Sequence, residues 1–87
     1  MAMTKKTITV FTGDTPNPEG DFANTRAAFV KTMYDSGKTD SLKVQNLADN
    51  TFQRNWLDQA AADEWVTFYN NLTNEYNFVQ TTTIENM

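Results

Sequence analysis

The side chains that do most biological chemistry are absent from this 87-residue chain, which has no histidine and no cysteine. There is therefore no disulfide framework, no Cys/His zinc site, no thiol nucleophile and no imidazole acid or base. Ser36 and Ser41 lack a histidine to activate them, and no glycine pattern cradles a phosphate. Asp14, Glu19 and Asp21 crowd one segment, but their spacing matches no calcium loop, so no metal is expected. Arg54 is the arresting residue. In an extended segment it shares a face with Phe52 and Trp56, and so points inward with them. An arginine so placed needs a partner. Two readings stand: the strand is at or near an edge and Arg54 snorkels outward, or Arg54 and Trp56 line a pocket between sheet and helices.

Charge offers a second kind of chemistry. The net charge is −4, but it is uneven: residues 1–54 carry +1 and residues 55–87 carry −5 with no basic residue. Asp58, Asp63, Glu64 and Glu75 in that acidic third suit a basic protein partner if they share one exposed face. Nucleic-acid binding by stacking needs exposed aromatics among basic residues. Only Phe11 with Lys43 offers that, and the net charge opposes it, so no nucleic-acid partner is expected. No run approaches the roughly 18 apolar residues of a membrane span. Met1 to Lys6 has charges but no apolar stretch behind them, so it is no signal peptide, and a cytoplasmic chain is expected.

These residues must be positioned by local structure. Residues 5–12 nearly alternate and are rich in β-branched types, which predicts a strand. Residues 13–20 all favour turns and predict a long loop. Asp21 can cap a helix over 21–36, with Phe22, Phe29, Val30 and Met33 on one face and Gly37 as its stop. Residues 41–47 and 51–57 alternate around an Ala48-Asp49-Asn50 turn and predict a hairpin. Asp58 caps a second helix running to about Asn74, with Ala61, Trp65, Phe68 and Leu72 as its apolar stripe. Residues 77–84 predict a closing strand. The order β-α-β-β-α-β over 1–87 predicts a single ferredoxin-like α+β domain, with a four-stranded antiparallel sheet and two helices on one face.

Eleven aromatic rings can build a core in so short a chain. A domain of this size buries only about 60–65 % of its unfolded surface, which favours self-association. Alternation places Ile8, Val10, Leu42, Val44, Phe52, Trp56, Phe78 and Ile84 toward the helices. The opposite set is dominated by threonine, and Thr7, Thr9, Phe11, Leu57, Val79 and Thr81 form the candidate homodimer face.

The segment RNWLDQAAADEW, a strand ending in Trp followed by an Asp cap and an Ala-rich acidic helix, resembles the dimeric α+β barrel group that includes antibiotic-biosynthesis-type monooxygenases. The resemblance covers about 25 residues closely and the element order more loosely. It implies that Trp56 faces a cleft between sheet and helices, with Arg54, Asn55 and Tyr69 as side chains of the types cofactor-free oxygenases use. The chain departs from the group where haem-degrading members need a histidine, and Asn55 has the opposite strand parity. Small size, Thr/Asn richness and the missing Cys and His resemble small reading frames of tailed phages. The expectation is a binding or structural protein that self-associates through its sheet, without a cofactor, in preference to an enzyme. The alternatives are an acidic inhibitor of a basic host protein and a cofactor-free monooxygenase.

Overall fold

The computed structural model describes residues 2–13 and 21–87. The acidic positions Asp14 and Glu19, considered above for a cation, lie outside them. Six elements follow in the order β1 (Lys5–Phe11), α1 (Asp21–Asp35), β2 (Gln45–Ala48), β3 (Thr51–Trp56), α2 (Gln59–Tyr76) and β4 (Gln80–Asn86). The strands form one antiparallel sheet in the order β2-β3-β1-β4. This is the expected ferredoxin-like layout, with β3 inserted between β1 and β2.

The helix ends follow from their capping residues. Asp58 is extended, and its carboxylate accepts from the Ala61 N–H at 2.9 Å, which satisfies one of the free donors of the first turn of α2. α2 outlasts the expected stop near Asn74 because the left-handed residue that ends it is Asn77, at φ 55°. α1 ends in a paired return: Gly37 at φ 75° donates to the Tyr34 carbonyl and Lys38 to the Met33 carbonyl. β2 is shorter than the expected 41–47. Lys43 N–H turns back onto the Ser41 hydroxyl at 3.1 Å, and the strand is bulged between Asn46 and Ala48. Leu42, expected inward, is half exposed, while Val44 does pack on the core.

The core is an aromatic layer between sheet and helices. Trp56 stacks on Trp65 at 5.5 Å between centroids, Trp65 on Tyr69 at 4.8 Å, and Phe29 of α1 on Phe68 of α2 at 4.1 Å. Each such ring removes about 150–250 Å² from water, roughly 4–6 kcal/mol before entropy is counted.

That layer reverses the expected faces of β1. Thr7 and Thr9 are fully buried on the helix side, with Phe11 half-buried against the core, while Ile8 and Val10 alternate onto the uncovered face. Thr7 is paired across the sheet with Arg54 and Ile84, and Thr9 with Phe52 and Thr82. Trp56, Trp65 and Tyr69 supply the bulk of the buried layer on this side, and Phe11 joins it at the end of the strand. The threonine hydroxyls are satisfied within the layer: Thr7 accepts from Trp56 Nε1, and Thr9 bonds Thr82 at 2.9 Å.

Candidate functional site

Because β2 pairs only with Thr51–Gln53, β3 loses its neighbour on that side at Arg54. The chain before β2 diverges there and leaves a cleft of about 490 Å³ lined by Phe11, Phe52 and Arg54 of the sheet, Arg26 of α1, and the segment Leu42–Val44 with Asn46. Of the eight described residues that line it, three are cationic and none is acidic.

Arg54 is 6 % exposed. β3 does lack a β2 partner from Arg54 onward, but the side chain is buried and does not snorkel outward, and it lines the cleft instead. Its guanidinium carbon sits 5.1 Å from the centre of the Trp65 ring, a cation–π contact. Nε and Nη1 are buried without a hydrogen-bond partner. Burial pulls the pKa of Arg54 down to about 10, with repulsion from Arg26 adding to the effect and Tyr69 opposing it. The Tyr69 hydroxyl is also buried without a well-formed hydrogen bond, although Arg26 approaches it. Burial pushes its pKa up to about 12, against the pull of Arg26 and Arg54.

Of the four side chains that the monooxygenase resemblance singles out, Arg54 and Tyr69 come together. Trp56 is 0 % exposed, hydrogen-bonded to Thr7 and covered by Trp65, so indole fills the space a cleft beside it would occupy. Asn55 projects from the other face, where it accepts from Gln53 at 2.8 Å and donates to Asp40 at 3.3 Å. Arg26 was missed. Its signal was present in the sequence, because Arg26 continues the inward stripe of Phe22, Val30 and Met33 at helical spacing.

All four acidic positions of the C-terminal third are exposed, and Asp63 and Glu64 line one hollow with Phe29 and Phe68. Asp58 caps α2, Asp63 accepts from Gln59, and Glu64 pairs with Lys38 at 3.2 Å. Glu75 points along the same side as Glu64 but about 16 Å further along the helix. Among the described residues no group of three potential metal ligands exists, and no helix is long and apolar enough to cross a membrane. Of the expected dimer face, Thr7 and Thr9 lie beneath the helices and Phe11 lines the cleft, whereas Thr81 and Val79 are exposed and Leu57 is half-buried. The chain matches no protein family, curated protein or solved structure at a significant level.

Proposed function

We propose that this protein is a small binding or structural module that works as a homodimer, two copies packing through the uncovered faces of their sheets. The carrying observation is the exchange of faces in β1, which leaves Ile8 and Val10 half-buried at the centre of the sheet with no helix of the described residues over them. Around them stand Thr51, Gln53, Thr81 and Thr83 as direct cross-strand neighbours.

A second copy suits this face better than a charged partner does. The ionic side chains of its paired strands, Lys6 and Glu85, oppose each other across β1 and β4, so the strands present no net charge although the chain carries −4, and Asp40 stands only at the rim, bonded to Asn55. A two-fold axis would set like face on like face without apposing net charge. A sheet of four strands, seven residues at the longest, presents about 20 by 23 Å. That is small beside the ~800 Å² per partner of a standard interface, which suits a concentration-dependent dimer.

Sedimentation velocity between 1 and 100 µM tests the reading. The expected result is a rise from 9.9 kDa toward twice that mass, abolished by Val10→Lys in a chain that keeps its wild-type circular dichroism. A species of 9.9 kDa at every concentration overturns it.

A further inference from the structure

The cleft above Arg54 stands apart from the proposed dimer face, on the helix side of the sheet. We propose that it binds a small organic oxyanion, a carboxylate or phosphate group carried on an apolar body, with Arg54 and Arg26 holding the charge.

The case rests on a built but incomplete ion site. Arg54 is nine-tenths buried, with Nε and Nη1 unpartnered. A guanidinium removed from water without a counter-ion is a large electrostatic cost, and the residues around it increase that cost. Arg26 lies close enough to repel it, Lys43 lines the same cleft, and among the described residues no carboxylate does. Asp40 and Arg54 both line the adjoining hollow, but no ion pair joins them, and Asp40 is engaged by Asn55 from the other face of β3. One monoanion in the cleft would sit between two guanidinium groups that are otherwise mutually destabilising, and the Tyr69 hydroxyl beside them is a donor with no acceptor.

The rest of the lining describes what carries the anion. Phe11 and Phe52, with ring centroids 5.8 Å apart, form one wall, and Leu42 and Val44 contribute to the opening. Leu42 is half exposed there, which gives the apolar body of a ligand a surface to cover. Inorganic anions would use only the cationic floor. An oxyanion with a ring or a short alkyl group would use both floor and walls. The opening of about 490 Å³ admits a molecule of one ring and not a folded partner.

Titration of the full chain with phenylacetate, phenyl phosphate and uncharged benzyl alcohol tests this, read by tryptophan fluorescence, since Trp65 lies directly against Arg54. Saturable 1:1 binding is expected for at least one oxyanion, with benzyl alcohol at least tenfold weaker. Comparison of the two oxyanions tells carboxylate from phosphate. Arg54→Met is expected to weaken binding at least tenfold and Arg26→Gln at least threefold. The Arg26 variant serves as the decisive one if Arg54→Met does not fold. Absence of saturable binding by either oxyanion overturns the proposal, as does equal binding of benzyl alcohol or unchanged affinity in the folded variants. Repeating the titration with Val10→Lys separates this site from the dimer: binding is expected unchanged whether or not the chain self-associates.

Discussion

Trp56 donates its indole N–H to the Thr7 hydroxyl at 2.9 Å, and both residues are fully buried. The bond joins β3 to its neighbour β1 beneath the aromatic layer, and it explains why a threonine outcompetes an isoleucine for that position. A β-branched aliphatic at residue 7 would fit the volume but leave the indole N–H without an acceptor. Thr7→Val should therefore cost about 1–3 kcal/mol, the penalty of an orphaned buried donor. Urea denaturation of Thr7→Val, Trp56→Phe and the double variant measures it. The double variant should cost clearly less than the sum of the two singles. Simple additivity would show that the bond contributes nothing.

Arg54 gives a prediction of opposite sign. Its charge is buried, repelled by Arg26 and unpaired, and only its stem and its contact with Trp65 favour the fold. Arg54→Met keeps the volume and removes the charge, so the fold should be as stable as the wild type or about 1–4 kcal/mol more stable. Arg54→Ala, which also opens a cavity, should be less stable than Arg54→Met by about 2 kcal/mol. Thermal and urea midpoints report both, and a strongly destabilised Arg54→Met would mean that the charge has a partner after all.

The contrast between Arg54 and Thr7 shows what could be read in advance. Helix positions were legible because capping is local: Asp58, Gly37 and the apolar stripe of α2 act over one turn. Element order was legible for the same reason. The face of β1 was not. Alternation divides β1 into two sets but does not say which faces the helices, and hydropathy alone selects Ile8 and Val10. The choice depends on partners from elsewhere in the chain, above all the Trp56 indole N–H that needs the Thr7 hydroxyl. The cleft was half legible. Strand parity placed Arg54 inward, but the early end of β2 depends on the Ser41–Lys43 turn and a bulge. Arg26 was hidden in a stripe read for its apolar members.

The ends of α2 supply a paired test. Removing the cap in Asp58→Ala should cost about 1 kcal/mol, since the Ala61 N–H loses its acceptor. Asn77 closes the same helix at φ 55°, a conformation an asparagine tolerates and a glycine adopts without cost. Asn77→Gly should thus stabilise the chain by a few tenths of a kcal/mol up to about 1 kcal/mol. The two changes lie at opposite ends of an 18-residue helix and should add in the double variant. Guanidinium unfolding curves with a common slope would read all three.

Tyr69 makes the alkaline limb of the stability profile diagnostic. Burial raises its pKa to about 12 in the fold, against an ordinary value of 10.0. Between those values the unfolded chain has released the phenolic proton and the folded chain has kept it. The folded state therefore binds more protons, and stability falls as pH rises. The contribution is fully present below pH 10 and declines by about 1.4 kcal/mol per pH unit above it. The depressed pKa of Arg54 acts in the reverse sense over the same range, so the wild-type curve alone does not isolate either group. Tyr69→Phe does: the variant loses a hydroxyl that has no well-formed hydrogen bond and retains the ring stacked on Trp65. Its stability at pH 7 should lie within about 1 kcal/mol of the wild type. Between pH 10 and 12 its urea midpoint should fall less steeply than that of the wild type, and parallel curves would place the Tyr69 hydroxyl in contact with water.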